Sequence, residues 1–497
     1  MDANIIKRNR LSIDLNAWRV LLTVPSVLAR GEKFALRATA LAPDGLPSAG
    51  FPLELALEEC SGVEGLPESL RFDPKEEGYA EIPGLVATGP DSVAIRARPE
   101  GAPQALSANP AWVFDDPPWR IWWGDLHVHT THSNCIQWAC KDPEFCFEFA
   151  RRATHLDFCA AADHLRGLGF DPSRWTEQQK LVRELDAPGN FVPLLGFESS
   201  HKTGFGGDIN AYFLGSEAPF FWLDREDMRG NQPEVTLRQL WDFLDGCGDR
   251  YFTVPHHTGR SGKFRSFAAP DYDGDREPLF EIYSGWGSSE RRHTRFPLHA
   301  GNTDEPAYFA DALQAGCRYG VIASSDDHTT TPGCESSSWT HPGGRKGISG
   351  YTNQGLAAVI APELTRESLF DSLTNKRTYA TTLARNLFDV RLGDLAMGES
   401  AQLGREDSLR KNRRITVRAL PDEGRCSVTL VRNGEDFATA ALKAEMGDVA
   451  FEDVEPLEKI AIRGAQHSPG AFVAYYVRLQ DRLGQTQWSS PIWLDLE

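Results

Sequence analysis

At 497 residues the chain is long for a single hydrophobic core, so two or three domains are expected. Its mixture of 41% hydrophobic and 25% charged residues excludes a disordered or fibrous chain, and no apolar run approaches the roughly 20 residues needed to span a bilayer. A formal net charge of -18 argues against nucleic acid or an anionic membrane as partner, since either calls for a basic surface.

The opening residues 1–18 carry charges without an apolar stretch, so no signal peptide is expected. Nine scattered cysteines, an odd number, do not suggest a disulfide framework, and a reducing cytoplasm is the expected compartment.

Residues 1–118 hold short alternating runs such as Phe34-Ala-Leu-Arg-Ala-Thr-Ala and Ser92-Val-Ala-Ile-Arg-Ala-Arg, broken by Pro and Gly. Period-2 alternation with turn residues predicts an antiparallel β-sandwich. Asp115-Asp-Pro-Pro-Trp reads as a linker. Over 119–385 apolar runs alternate with amphipathic stretches. Strands are predicted at 121–128, 157–162, 191–197, 209–214, 251–255, 279–283, 319–324 and 355–361, and helices at 143–153, 175–184, 237–244, 307–315 and 365–375. That alternation predicts parallel strands with helical crossovers, and its length suits an α/β barrel. Residues 386–497 return to β alternation, as in Arg414-Ile-Thr-Val-Arg-Ala and Cys426-Ser-Val-Thr-Leu-Val, and predict a second sandwich.

Metal-capable residues end most of the central strands: His127 and His129, Asp163 and His164, Glu198, His256 and His257, Glu281, and Asp326, Asp327 and His328. Sites in α/β barrels form at the C-terminal strand ends, so these groups are expected to converge. In His-x-His both rings point to one side of a strand and can reach one cation, and Asp326 with His328 repeats the spacing. Singly, each cluster reads as core histidines, a pair that supports ligands without binding the ion, or a solvated turn. Six together favour a metal site, because buried charge is costly unless paired or metal-bound. Mixed carboxylates and imidazoles suit Zn, Mn or Fe, and a shared carboxylate allows a two-metal hydrolytic site. Asp163 and His257 stand beside candidate ligands and are assigned to orient them or carry protons. Arg166, Lys202, Arg260 and Lys263 follow motif strands and are candidates to grip an anion, with solvated loop charge as the bland alternative. Glu281 reads as ligand, general acid or helix cap.

Gly124-Asp-Leu-His-Val-His-Thr resembles the opening motif of the PHP (polymerase and histidinol phosphatase) superfamily. Ala162-Asp-His, Gly196-Phe-Glu, Pro255-His-His and Ser325-Asp-Asp-His resemble its later motifs, in order. Arg377-Thr-Tyr-Ala-Thr, Ala396-Met-Gly-Glu and Trp488-Ser-Ser-Pro-Ile-Trp resemble a bacterial PHP-like family of unknown function with β domains beside the barrel. The resemblance implies a distorted (β/α)7 barrel flanked by N- and C-terminal β-sandwiches, with the 209–214 strand the least secure member, and two or three divalent ions. It implies that His127, His129, Glu198 and Asp326 hold one ion, that Glu198 bridges to a second shared with His256, and that His164 and His328 hold a third. Two positions depart from the pattern: Cys135 stands where relatives carry Asp or His, and Asp208 where they carry His; both are counted as replacement ligands. The implied activity is hydrolysis of a small phosphate ester by metal-activated water. Hydrolysis of a carboxylic ester, amide or sulfate ester is a second reading, and a non-catalytic binding or scaffold protein a third.

Overall fold

In the computed structural model the described residues are 19–42, 45–48, 54–100, 102, 104–133, 140–201, 203–221, 236–301, 304–334, 354–421, 425–442, 446–482 and 484–497. Cys135 and Lys202 lie outside them.

Two sheets form the N-terminal part. One joins Arg19–Thr23, Lys33–Leu41, Tyr79–Ala87 and Val63–Glu64. The other joins Val27–Ala29, Ala111–Phe114, Ser92–Pro99, Glu54–Ser61 and Ser69–Arg71, with Leu106–Ser107 on Ser92–Pro99. The alternation explains the layering: Val93, Ile95 and Ala97 of one sheet and Val20, Leu36 and Ala38 of the other point inward and share one core.

All eight predicted central strands are present: Arg120–Val128, Phe158–Ala161, Val192–Ser200, Asp208–Phe213, Tyr251–His256, Leu279–Ser284, Gly320–Ala323 and Leu356–Ala361. The helix Pro143–Glu148 starts where Asp142 accepts from the Phe145 amide, with Pro at the first helical position, and continues as a π-helical turn, Phe149–Ala153. Leu237–Asp245 starts with a reciprocal Thr236–Gln239 capping box.

The expectation of uniformly parallel β/α alternation needs correcting at two places. Asp208–Phe213 runs antiparallel to both neighbours, and Leu356–Ala361 runs antiparallel to Arg120–Val128. Only a short glycine-containing loop separates Ser200 from Asp208, too short for the helix a parallel connection requires. The architecture is therefore a strand-rich α/β fold. Six strands still share one direction, because the antiparallel 208–213 strand restores it for 251–256. A parallel bridge between Val128 and Asp327 brings the end of the 320–323 strand back beside the 120–128 strand, so the sheet curls and the six C-terminal ends share one rim.

The C-terminal part has one separate sheet, of Leu387–Leu392, Leu395–Ala396, Arg413–Leu420 and Gly447–Asp453. Its other strands belong to the central sheet: Thr378–Thr381 pairs with Thr486–Ser489, placing Ala380 opposite Trp488. Among the described residues no helix is long and apolar enough to cross a membrane.

His155 joins the N-terminal sheet to the central fold. It sits at φ 51°, buried, with Nδ1 2.7 Å from Thr23 Oγ1 and Nε2 3.1 Å from Thr39 Oγ1. Burial, with Arg385 and Arg37 nearby, holds its pKa well below the usual histidine value. A depressed folded pKa means the unfolded chain binds more protons below about pH 6.5, so this contribution is present above that pH and is lost on acidification. Asp157 titrates oppositely, its carboxyl pushed up to about 6 by burial. We predict that wild-type melting temperature falls as pH drops from about 7 to about 5, with a smaller slope in His155→Asn, a residue that tolerates positive φ. Equal slopes in pH-dependent thermal melts would refute this role for His155.

Candidate metal centre

Two buried carboxylates organise the rim. Glu198 Oε2 lies 2.7 Å from His164 Nδ1, 3.4 Å from His129 Nε2 and 3.8 Å from His127 Nε2, while Oε1 lies 3.2 Å from His256 Nε2. Asp326 Oδ1 lies 3.1 Å from His129 Nε2, 3.5 Å from His127 Nε2 and 3.8 Å from His328 Nδ1, and Oδ2 lies 3.4 Å from His257 Nδ1. Each carboxylate thus faces four imidazoles. Burial opposes ionisation, but these imidazoles hold both carboxyls well below the usual range; for Glu198 the largest favourable effect is from His164, for Asp326 from His127.

Strand geometry sets the arrangement. His127 and His129 leave one strand on the same side, their ring centroids 5.1 Å apart. His129 stacks on His164 at 4.6 Å and lies 4.2 Å from His328. His256 and His257, consecutive in the chain, meet edge-to-face at 4.3 Å, and the φ of 33° at His257 turns its ring toward Asp326 rather than across the sheet. Asp326 also has positive φ, 50°. Such backbone strain concentrates where side-chain placement is demanding.

The supporting layer was largely hidden from sequence reasoning. Asp125 accepts from the His127 and Ser325 amides at 3.1 and 3.0 Å, tying the first strand to the turn bearing Asp326, and burial pushes its carboxyl up to about 7. Asp163, assigned a catalytic role above, accepts from Thr130 N, Thr130 Oγ1 and Ser133 Oγ, each at 2.7 Å, and Ser133 Oγ lies 2.8 Å from His129 Nδ1. Asp163 therefore acts on His129 through Ser133. Asp327 caps the following turn through the Thr329 and Thr331 amides. Glu281 Oε2 lies 3.1 Å from His127 Nδ1, on the ring nitrogen away from the carboxylate pair, which is the position of an orienting carboxylate. A small polar residue four positions beyond the second motif histidine was the available signal for Ser133; Asp125 lay inside the quoted motif without an assigned role.

Of the cationic candidates, Lys263 contacts Asp208 (3.1 Å), whose other oxygen lies 2.9 Å from His257 Nε2. Arg166 is exposed. The Arg260 guanidinium lies 4.0 Å from the ring centroid of Trp286, and that ring lies 6.2 Å from His257 and 6.3 Å from His328. Among the described residues no carboxylate pairs with Arg260.

Four groups bring donor atoms within 4.8 Å of one another: His129, His164 and His328; His127, His129 and Glu198; His127, His256 and Asp326; and Asp208, His256 and His257. His127 Nε2, His256 Nδ1 and Asp326 Oδ2 are buried without a hydrogen-bond partner. Orphaned donors of mixed imidazole and carboxylate type fit a divalent transition metal. We predict that Glu281→Gln weakens metal affinity by about 10–100-fold through loss of His127 orientation, measured by chelator competition on folded protein; unchanged affinity would remove Glu281 from the site.

A family described as "Protein of unknown function (DUF3604)" matches residues 313–393. An uncharacterized protein of Chlamydia pneumoniae is 24% identical over 425 residues, covering 85% of this chain and 65% of the relative. One from Chlamydia trachomatis is 23% identical over 429 residues with the same coverage. The chain thus spans 65% of the length of these curated relatives. Among solved structures, a two-domain protein containing predicted PHP-like metal-dependent phosphoesterase from Bacteroides vulgatus aligns over 72% of this chain and 90% of its own, at 13% identity and a TM-score of 0.35.

Proposed function

We propose that the chain is a metal-dependent phosphoesterase whose centre sits on the rim of a distorted barrel spanning 119–385, flanked by sandwiches over 1–118 and 386–497. The observation that carries this reading is the pair of buried carboxylates, each faced by four imidazoles, with orphaned nitrogen and oxygen donors between them. The ordered motifs resembling the PHP superfamily support it.

His127, His129, His164, Glu198, His256, Asp326 and His328 would hold two or three ions of Zn, Mn or Fe. When bound, such ions supply Lewis acidity, which makes water a competent nucleophile near neutral pH and offsets charge on the phosphoryl group. The remaining work falls to the protein. Arg260, held over the Trp286 ring, binds the anionic substrate: a guanidinium with no carboxylate among the described residues is available to two oxyanion oxygens at once. Trp286 orients that guanidinium and keeps water from one wall. His257 can hold or release a proton at Nδ1, because Nε2 is fixed on Asp208.

The test is a panel of phosphate, carboxylic and sulfate esters on metal-loaded protein. Phosphate-ester hydrolysis is expected, falling several orders of magnitude in Asp326→Ala with circular dichroism unchanged, since the core is apolar. Arg260→Met should raise KM about 10-fold or more with a smaller change in kcat. Cleavage of carboxylic or sulfate esters alone would replace the phosphoesterase reading, and inactivity toward the whole panel would favour a binding protein.

A further inference from the structure

The fourth donor group, Asp208, His256 and His257, differs from the other three because a cation of the protein already stands on it. Lys263 Nζ lies 3.1 Å from Asp208 Oδ1 and 3.3 Å from Ser200 Oγ. Among the described residues this is the only ion pair Lys263 makes. The second Asp208 oxygen faces His257 Nε2 at 2.9 Å, so protein donors serve both.

The ammonium is placed by a clasp between two loops. The Gly204 amide donates to Phe264 O at 2.7 Å, Thr203 Oγ1 donates to Gly262 O at 2.6 Å, and the Lys263 and Arg265 amides donate to Arg260 O and Thr258 O, each at 3.0 Å. The approach is close enough that a Cβ on Gly207, at φ +67°, would lie 2.7 Å from Lys263 O. The lysine backbone is therefore fixed beside Asp208, and its side chain, about one-third exposed, is not a solvated loop charge.

We propose that Lys263 takes the place of a metal ion on Asp208, so that Asp208 is a positioning residue for His257 and not a ligand. This rests on the metal-centre reading above and narrows it: the ions are confined to the donors around Glu198 and Asp326. A divalent ion on Asp208 would sit against the ammonium at contact range, where like charges repel strongly in a low-dielectric site. His257 keeps the Asp208 carboxylate as its partner on Nε2, which fixes the ring and leaves Nδ1 toward Asp326.

The experiment is Mn2+ stoichiometry by isothermal titration and elemental analysis on the full chain, compared across wild type, Asp208→Asn, Lys263→Arg and Lys263→Met. Asp208→Asn and Lys263→Arg should keep the wild-type number of equivalents, and Lys263→Met should gain one. Asp208→Asn should also shift the pH profile of turnover, a change a purely structural residue would not produce. Loss of one equivalent in Asp208→Asn overturns the inference while leaving the metal centre intact, and an unchanged count in folded Lys263→Met overturns the claim that the ammonium excludes the ion. A wild type that binds no Mn2+ or Zn2+ overturns the hydrolase reading itself, and the inference with it.

Discussion

Glu198 and Asp326 are 2% and 3% exposed, and no arginine or lysine among the described residues pairs with either. Two carboxylates this close and this buried remain ionised only where positive charge is brought to them, by protonated imidazoles or by bound cations. The surrounding structure serves that requirement. Six strands share a direction so that their ends deliver imidazoles to one rim, and Asp125, Asp163, Asp327 and Glu281 then hold the deliverers. The positive φ at His257 and Asp326 fits the same account: backbone cost is accepted where it turns a side chain into the cluster.

The same logic separates the rim from the rest of the charged interior. Glu290, 2% exposed, accepts from Tyr476 OH, Arg478 and Trp488 Nε1, and Arg413 pairs with buried Asp453 beside Tyr475. These carboxylates are matched by fixed donors and hold the C-terminal strands against the central fold. Of the imidazoles that face the rim carboxylates, His127, His256 and His257 each have one buried nitrogen without a hydrogen-bond partner, an arrangement open to exchange of protons or ions.

Much of the fold was legible because buried strands read as short apolar runs and most of the central runs ended on an ionisable residue. The 121–128 expectation against an observed Arg120–Val128 shows how narrow the boundary error can be. Strand direction was not legible: nothing within Asp208–Phe213 distinguishes an antiparallel strand from a parallel one, and only the short 201–207 link excluded a crossover. The alignment of candidate ligands was readable from spacing, but the partner of Lys263 was not, since a lysine in a loop carries no local mark of its target. Ser133 and Asp125 were missed for a related reason: their roles depend on neighbours 30 and 200 residues away in the chain.

The pairing of Thr378–Thr381 with Thr486–Ser489 has a consequence for biosynthesis. A strand made about three-quarters of the way along the chain waits for a partner more than a hundred residues downstream, so during vectorial synthesis one margin of the central sheet keeps its amides and carbonyls bare. Closure of that margin is a high-contact-order event and belongs to the slow end of folding. A nascent or prematurely terminated chain would carry a nearly complete imidazole–carboxylate rim beside an adhesive strand, and quality control would meet it in that form.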